Sequence, residues 1–313
     1  MQSVRSYDLH RGAYVTLPDK PFVLALGNFD GVHSAHRALL MRAVRLAHDR
    51  GCMSAAWCFD PPSSSYLGST ATLSTTEEKL ALFAECGLDY ACLADFPALR
   101  EYSPSDFIET VLKQNARAVH VVCGFHFRFG KGGAGDAELL KRAFDVSGVD
   151  ILPPICLPLD GHETVISASA VRTALLGGDT KTATRLLGRP YSLTAPVVHG
   201  KALGRTLGIP TINQNVPDGK LMPLDGIYAT RVWIEGKYYI GVTNIGHRPT
   251  VDRLDATVNC ETHILDFDHD LYGKTVTIEF HHRLRDEKKF NSLDELKTAV
   301  HGDIAAAKRY FHS

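Results

Sequence analysis

Apolar and polar positions follow two different rhythms along the chain. Up to about residue 188, short apolar runs alternate with longer amphipathic segments. Residues 22–29 (FVLALGNF) predict a buried strand, and 36–50 predict a helix on which Leu40, Val44 and Ala47 recur near helical spacing. Further strands are predicted at 52–60, 90–96, 118–125 and 149–157, and further helices at 75–87, 103–115, 136–148 and from 166 to 178.

This alternation of strands and helices predicts an α/β domain in which a Rossmann-like parallel sheet carries helices on both faces. Right-handed crossovers bring the carboxyl ends of parallel strands to one edge, where ligands usually bind. The segment GNFDGVHSAH, residues 27–36, follows the first buried strand. We therefore expect it to lie at that edge.

After residue 188 the segments become short and rich in Val, Ile, Tyr and Thr, which predicts an antiparallel sheet or small β-barrel. Strands are expected at 195–200, 226–236, 237–246, 257–267 and 274–285, with a hairpin turn at Glu235-Gly236. A helix over 292–311 begins with the capping-box pair Ser292 and Glu295. We expect two domains, 1–188 and 189–313.

Composition narrows the functional classes. A formal net charge of −1 over 313 residues gives no sign of a nucleic-acid partner. No apolar run approaches the length of a membrane span, and the first residues lack the apolar stretch of a secretory signal. Seven scattered cysteines without a C-x-x-C pair predict free thiols and a cytoplasmic protein. No histidine spacing outside the motifs below suggests a metal site.

The turn after the first strand has the residue types of a phosphate site. Gly27 and Gly31 let an anion approach backbone N–H groups where a helix begins. His33 and His36, three residues apart, share one side of the first helical turn and can donate hydrogen bonds to phosphate oxygens. Taken alone, such a pair is also compatible with structural or solvent-facing histidines.

An ordered set of motifs over residues 20–188 resembles the bacterial FMN adenylyltransferases of the nucleotidyltransferase superfamily. GNFDGVHSAH resembles their G-x-F-D-G-x-H-x-G-H signature. The segments that follow in family order are CFDPP, TTEEKLALFAECGLD, YSPSDFIETVL, CGFHFRFGKGGAGD and ISASAVR. The resemblance implies that the phosphate of FMN attacks the α-phosphorus of ATP, giving FAD and pyrophosphate without a covalent enzyme intermediate.

The same resemblance implies roles for individual residues. His33 and His36 would contact the ATP phosphates. The other residues implied at the nucleotide or its phosphates are Gly27, Asn28, Asp30, Gly31, Ser167, Ser169 and Arg172. His126 and Phe127 would contact the flavin. Turn chemistry alone is an alternative role for Asp30, and a solvated helix position is one for Arg172.

Several positions depart from the family pattern, among them four in the first half of the chain. Ala35 replaces the glycine between the two histidines, and His126 replaces an Asp or Asn. Gly133 stands where an arginine is common, and Ala168 replaces a serine. These changes surround the same expected site.

A second glycine-rich segment, HGKALGRTLGIPTINQN, covers residues 199–215. A loop with Gly200 and Gly204 can wrap phosphates, while Lys201 and Arg205 supply positive charge. After it, Thr211 and Asn213 alternate along an extended stretch and so point to one side; their oxygens suit Mg²⁺. A plain glycine-rich loop followed by a strand is the alternative.

This segment resembles the G-x-x-x-G-R-x-L-G-x-P-T-A-N signature of riboflavin kinases. The resemblance continues through PLDGIYATRV, GVTNIGHRPTV, NCETHILDF, LYGKTVTIEF and LRDEKKFNSLDEL, covering almost all of residues 190–312. It implies transfer of the ATP γ-phosphoryl group to the riboflavin 5′-hydroxyl, with Glu261 as general base and Mg²⁺ held by Thr211 and Asn213. Arg285 would cover the flavin or nucleotide, or form a structural salt bridge, and the run RDEKK otherwise reads as a solvated face.

Three hypotheses follow. In the first, the chain is a bifunctional bacterial riboflavin kinase/FMN adenylyltransferase that makes FMN and then FAD from riboflavin and ATP. In the second, it is a kinase with a degenerate or altered adenylyltransferase half. In the third, it is a flavin- or nucleotide-binding regulator without turnover. We expect a monomer or weak homo-oligomer whose partners are small flavins and nucleotides.

Overall fold

The computed structural model describes residues 4–62, 71–159, 161–200, 208–247 and 258–312. The chain divides into two compact units, Met1–Ala168 and Ser169–Ser313. Among the described residues, no helix is both long and apolar enough to cross a membrane.

The first unit holds a seven-stranded sheet in the order β2-β1-β5-β4-β3-β6-β7 and a separate two-stranded β8-β9 hairpin. Its strands are β1 (Val4–Asp8), β2 (Ala13–Val15), β3 (Phe22–Leu26), β4 (Met53–Phe59), β5 (Tyr90–Ala94), β6 (Ala118–Gly124), β7 (Val149–Leu152), β8 (Cys156–Leu159) and β9 (His162–Val165). Strands β5, β4, β3, β6 and β7 pair in parallel, which confirms the α/β prediction. Strand β1, which the pattern did not predict, lies between β2 and β5 and pairs antiparallel with both.

Helices cover both faces of this sheet. They are α1 (Ser34–Arg50), α2 (Thr76–Glu85), α3 (Phe96–Leu99), α4 (Pro104–Asp106, continued by a π-helix over Phe107–Asn115) and α5 (Ala137–Ala143). Phe22, Leu24 and Leu26 of β3 pack in the core with α4 and α5. Val23 and Ala25 pack on the opposite face with α1 and α2. Every residue of β3 is therefore buried.

A capping box begins α2, with Thr75 as the N-cap and Glu78 as its partner. The single strand predicted over 149–157 is wrong, because β7 ends at Leu152 and a separate β8 pairs with β9. Pro153 and Pro154 stand between them, and proline cannot donate to a strand ladder.

The second unit is a closed antiparallel barrel, which confirms the predicted small β-barrel, and its strand order is β10-β11-β14-β13-β12-β15. Its elements are α6 (Ala168–Leu176, beginning at the division), α7 (Thr180–Leu187), β10 (Tyr191–Val198), β11 (Ile212–Asn215), β12 (Gly226–Ile234), β13 (Lys237–His247), β14 (Val258–Ile264), β15 (Thr275–Arg285) and α8 (Leu293–His312). Ile234 pairs with Lys237 across the predicted turn, where Glu235 and Gly236 have φ values of 47° and 89°. The Ser292 hydroxyl caps α8 by accepting from the Glu295 N–H.

The units divide 20 residues before the predicted domain boundary at 188/189. The reason lies in α7, where the Thr180 hydroxyl donates to the carbonyl of His281 on β15 at 2.9 Å. The division describes packing, so the boundary between the two functional domains stays a prediction.

A chain of three buried hydroxyls crosses the barrel strands. Thr243 lies 2.8 Å from Thr230 and 2.8 Å from Thr262, measured between Oγ1 atoms, and all three residues are fully buried. Without water, each hydroxyl depends on its neighbours for hydrogen bonds.

We predict that Thr243→Val lowers the stability of the barrel by about 1–3 kcal/mol, because it removes the partner of two buried hydroxyls at once. Hydrogen–deuterium exchange of β12 and β13 peptides measures this loss. Thr277→Val is the control, since the Thr194–Thr277 pair is only half-buried and water can replace the lost partner. An equal effect of both substitutions would contradict the prediction.

Candidate active sites

The strand order of the first unit places one site at a switch point. β3 lies between β4 and β6, and the chain continues from β3 to β4 and β5 on one side before it crosses to β6 on the other. Ligands of open α/β sheets bind where the strand order reverses in this way, at the carboxyl ends of the strands. The segments that leave this edge are the turn after Leu26 and the loop after Gly124.

The turn after β3 has an unusual backbone. Phe29, Gly31 and Val32 have positive φ values of 50°, 71° and 39°. Only Gly31 is a residue that adopts this region readily, and a Cβ there would lie 2.8 Å from the Leu73 Cδ1. Phe29 and Val32 are fully buried, so packing holds them in this conformation. Such strain is typical of functional turns.

Asp30 serves this turn. Its Oδ1 accepts from the Leu73 N–H at 2.8 Å, while the Gly31 N–H donates to the Ser74 hydroxyl at 3.2 Å. The Asp30 carboxylate is only 4% exposed. Of the two roles considered for Asp30, the observed contacts support turn chemistry. Asn28, beside it, is exposed.

His33 is the N-cap of α1. Its Nδ1 accepts from the backbone N–H of His36 at 3.3 Å, so its ring proton in the neutral state lies on Nε2. The two imidazole rings stack, with centroids 3.6 Å apart and planes inclined by 15°. The predicted histidine pair is therefore a single stacked unit at the start of the helix.

His36 packs against the buried ring of Phe29. The Phe29 ring packs against it at 5.2 Å in an edge-on arrangement. Burial lowers the pKa of His36 well below its ordinary value, and the charges of His33 and Lys79 lower it further. Its Nδ1 is buried and makes no hydrogen bond with the residues that the structure describes. His36 is therefore a neutral imidazole at neutral pH.

The loop after β6 presents aromatic rings at the same edge. Phe125 is 63% exposed and lies edge-on to the exposed His126. Phe127 is half-buried and stacks on Phe129 at 5.8 Å. Gly133 has a φ of 68°, a conformation that the arginine common at this position in the family would adopt only with strain.

The remaining residues predicted for this site lie near the division between the units. Ser167 precedes α6 in the first unit, whereas Ser169 and Arg172 belong to the second. Ser169 is exposed and Arg172 is half-buried. Their assignment to the leaving pyrophosphate stays a prediction.

The barrel unit holds a carboxylate between polar neighbours. The Thr211 hydroxyl donates to Glu261 Oε1 at 2.7 Å. β14 runs between β11 and β13, which places Glu261 directly opposite Asn213 on one side and Asn244 on the other. Two of the predicted residues, Thr211 and Asn213, are thus brought to the predicted base, Glu261.

Gly200 lies against this group. A Cβ at Gly200 would come within 2.2 Å of the Asn213 Nδ2 atom, so only glycine fits here without displacing the amide. The backbone that leads into the predicted phosphate loop therefore touches Asn213. The other loop residues predicted to bind phosphate, Lys201, Gly204 and Arg205, lie outside the described residues.

A cavity of about 270 Å³ opens beside Glu261. The residues that line it are Ile209, Thr211, Ile227, Val242, Asn244, Glu261, His263, Arg285, Glu287, Lys288, Phe290, Leu296, Val300 and Asp303. Aliphatic and aromatic side chains form much of its wall, and Thr211, Asn244 and Glu261 form a polar part. This mixed lining is typical of sites that take an aromatic ligand with a polar group at one end.

Arg285 borders the cavity and is also held by the fold. Its Nε and Nη2 donate to the two carboxylate oxygens of Asp303 on α8 at 2.8 and 2.7 Å. The salt bridge that the sequence left open is therefore present. The four residues that follow Arg285 in the run RDEKK are exposed, as expected of a solvated face, and two of them, Glu287 and Lys288, also line the cavity.

Sequence reasoning missed several of these residues. Asn244 lies in the motif GVTNIGHRPTV, but no role was predicted for it. Its position two residues after Val242 puts both on one side of β13. Lys79 is 1% exposed, and nothing in its helix pattern separates it from a surface lysine. Phe290 and Asp303 reach the cavity from segments that gave no chemical signal.

The donor set suits a hard cation better than a soft one. Thr211, Asn213 and Glu261 offer only oxygen atoms for coordination, as Mg²⁺ prefers. Among the described residues there is no group of three or more His, Cys, Asp or Glu side chains that could hold a metal.

Comparisons with known proteins match most of the chain to two enzyme families. A family model described as FAD synthetase matches residues 16–170, and one described as riboflavin kinase matches residues 187–311. The bifunctional riboflavin kinase/FMN adenylyltransferase of Pseudomonas fluorescens is 37% identical, with 96% of each chain covered. Those of Escherichia coli K12 and Bacillus subtilis are 37% and 33% identical, with 94% and 92% of each chain covered.

A solved structure described as a macrolide-efflux protein from Streptococcus pneumoniae is 30% identical. It matches with a TM-score of 0.83 over 96% of this chain and 97% of the other. We take only the fold from this likeness.

The parallel sheet with its paired histidines and the barrel with its held carboxylate define a nucleotide-dependent transferase of two domains. More narrowly, the chain belongs to the family of bifunctional riboflavin kinase/FMN adenylyltransferases.

We predict that Arg285 and Asp303 are coupled by about 1–3 kcal/mol in a double-mutant cycle with Arg285→Ala and Asp303→Ala, because both partners are shielded and the contact is bidentate. Urea denaturation of the single and double variants measures the coupling. The exposed pair Lys274–Glu235 is the control, for which we expect less than about 1 kcal/mol. A coupling no larger than that of the control would contradict a structural role for the buried pair.

Proposed function

We propose that the barrel unit phosphorylates riboflavin and that the first unit converts the resulting FMN to FAD. The observation that carries the kinase assignment is the Glu261 carboxylate, held by Thr211 at the polar part of a largely apolar cavity. The apolar wall suits the flavin ring, and Glu261 would take the proton from the 5′-hydroxyl as it attacks the γ-phosphorus of ATP. The bond from that phosphorus to the β–γ bridging oxygen breaks, leaving ADP.

Thr211 and Asn213 would hold Mg²⁺ in this reaction. Bound Mg²⁺ supplies charge neutralisation at the phosphate oxygens during transfer. The chain's own contribution is to fix the two oxygens: Thr211 through its bond to Glu261, and Asn213 through its contact with the Gly200 backbone. The absence of a Cβ at Gly200 also lets phosphate groups approach closely.

In the first unit, the FMN phosphate would attack the α-phosphorus of ATP and expel pyrophosphate. His33 and His36 would donate from their Nε2 atoms to the ATP phosphates, where negative charge accumulates. Phe125, His126 and Phe127 lie at the neighbouring strand end, which supports a flavin site there. Catalysis would rest on positioning and charge stabilisation, because no enzyme nucleophile is needed.

The same proposal includes the cellular compartment, the partners and the oligomeric state of the enzyme. All seven cysteines are free, which supports a reducing cytoplasm. The near-zero net charge supports small-molecule partners rather than nucleic acid. We propose a monomer or weak homo-oligomer.

Incubation of the full chain with riboflavin, ATP and Mg²⁺, followed by chromatography of the flavins, tests both activities. We predict that Glu261→Gln lowers FMN formation by at least about 100-fold, because a general base is removed at nearly constant size. Conversion of supplied FMN to FAD is expected to persist. Glu235→Gln, at the exposed hairpin turn, is the control and should leave both steps unchanged.

Other results of this assay would support the other two hypotheses. FMN without FAD from the wild-type chain would support a kinase with an altered first domain. The absence of any product would support a flavin- or nucleotide-binding protein without turnover. Equal loss of both steps in a folded Glu261→Gln variant would contradict two independent sites.

We predict that Gly200→Ala also abolishes FMN formation while the fold persists, because the new methyl group would displace the Asn213 amide. Gly302→Ala is the matched control, since a Cβ there meets nothing within 4 Å. Kinetic assay and thermal unfolding of both variants separate a local defect from misfolding. Retained kinase activity in Gly200→Ala would contradict a role for the Gly200–Asn213 contact.

A further inference from the structure

His263 connects the strand that carries Glu261 to the segment that carries Thr211. Its Nδ1 lies 2.7 Å from the carbonyl oxygen of Pro210. A carbonyl oxygen can only accept a hydrogen bond, so this ring nitrogen carries a proton and donates. The contact joins β14 to the residue immediately before Thr211, although His263 and Pro210 are 53 residues apart in the sequence.

This hydrogen bond lies beyond the end of the strand ladder. The pairing of β11 with β14 begins at Ile212, which lies opposite Thr262. Pro210 has no N–H and so cannot donate to a neighbouring strand. Pro210 and Thr211 therefore stand ahead of the ladder, where side chains of β14 reach them.

Two hydrogen bonds to β14 enclose Thr211. Its hydroxyl donates to Glu261 Oε1 at 2.7 Å, and the carbonyl of the preceding Pro210 accepts from His263. Glu261 and His263 are two residues apart on β14, so their side chains lie on the same side of the strand, and both line the cavity. Thr211 is thus held at its side chain and, through Pro210, at its backbone.

The residue on the other side of Pro210 also belongs to the cavity. Ile209 is 6% exposed and forms part of the apolar wall, whereas Pro210 itself is exposed. Because Ile209, Pro210 and Thr211 are consecutive, a movement of Pro210 would displace the apolar wall and the polar group of the cavity together. The hydrogen bond from His263 acts at the middle of these three residues.

We propose that His263 is a positioning residue for phosphoryl transfer: its Nδ1–H holds the Pro210 carbonyl and so keeps the Thr211 hydroxyl aligned with Glu261. The proposal rests on the kinase function proposed above. Nδ1 alone carries the role, and Nε2 is not required. Without this hydrogen bond the ladder still begins at Ile212, but Thr211 can turn away from the carboxylate that it orients. Misplacement by about 1 Å can cost a factor of about 100 in rate.

Three substitutions of His263 separate its two ring nitrogens. The amide nitrogen of asparagine is bonded to Cγ, as Nδ1 is in histidine, so His263→Asn can still donate to Pro210. In His263→Gln the amide nitrogen lies one bond further out, as Nε2 does. His263→Phe keeps a planar ring but has no donor. His269→Phe is the control, because His269 is exposed and does not line the cavity.

Steady-state kinase assays of these variants, at varied Mg²⁺ and riboflavin concentrations, test the proposal. We expect His263→Phe to lower kcat at least about 10-fold and to raise the Mg²⁺ concentration that gives half the maximal rate, because Thr211 is no longer aligned. The KM for riboflavin should change less than kcat. His263→Asn should recover most of the lost activity and His263→Gln should not. The control His269→Phe should behave as the wild type.

Two measurements on the ligand-free full chain need no turnover. Long-range ¹H–¹⁵N NMR, with the His263 signal assigned from the His263→Asn spectrum, should show a proton on Nδ1 in the neutral ring. Hydrogen–deuterium exchange of peptides that contain Thr211 and Ile212 should be faster in His263→Phe than in His263→Asn. If the wild-type chain makes no FMN, the kinase assignment fails, while these two measurements still decide whether His263 holds Pro210.

Three results would overturn the role of His263. The first is a neutral wild-type ring with its proton only on Nε2. The second is a folded His263→Phe variant that is as active as His263→Asn. The third is a His263→Gln variant more active than His263→Asn, which would assign the role to Nε2. If thermal unfolding shows that His263→Phe does not fold, His263→Leu takes its place, and the wild-type NMR spectrum still decides the first point.

Discussion

The first unit depends on the burial of β3 on every side. Its five residues pack against helices above and below, and β4 and β6 pair with it at both edges. A strand enclosed in this way has no freedom to shift, because a slip by one residue would exchange its two faces. The turn that follows Leu26 therefore begins at a fixed point. Packing can then hold Phe29 and Val32 in backbone conformations that would otherwise be unfavourable.

In the barrel, strand pairing alone fixes the positions of the polar site residues. Glu261 lies on β14, which has a neighbour on each side, and the same register that closes the barrel puts Asn213 and Asn244 beside it. Thr211, at the start of β11, supplies the hydrogen bond that orients the carboxylate. The polar group is thus assembled from three strands whose order along the chain gives no indication of their adjacency.

Much of this could be predicted from the sequence because its signals are local. The alternation of apolar runs predicted the parallel core, and Glu235-Gly236 predicted the turn between β12 and β13. The pairs His33/His36 and Thr211/Asn213 were found from short spacings. The β1–β2 hairpin was missed because its strands are only partly buried and so lack a clear pattern.

Several residues near the sites could not be predicted from the sequence for a different reason. Lys79 pairs with an aspartate 19 residues away and Asp303 with an arginine 18 residues away, contacts that exist only after folding. Asn244 and Phe290 become cavity residues through the closure of the barrel and the course of the chain toward α8. A lysine in an amphipathic helix or an asparagine in a strand carries no local sign of such a partner. Resemblance to a family supplied the chemistry, but not these supporting contacts.

His33 makes two structural contributions, and the substitution His33→Ala would remove both at once. As the N-cap, it satisfies a backbone N–H of α1; as a ring stacked on His36, it also forms part of the surface that we propose for phosphate binding. Loss of a cap frays the first helical turn, and that turn carries His36 itself. The loss of activity in His33→Ala would therefore include the effect of a disordered first helical turn, and not only the loss of the His33 imidazole. Asparagine caps helices well but lacks the imidazole. His33→Asn would therefore keep the cap and remove only the ring, so that its effect can be compared with that of a substitution at His36.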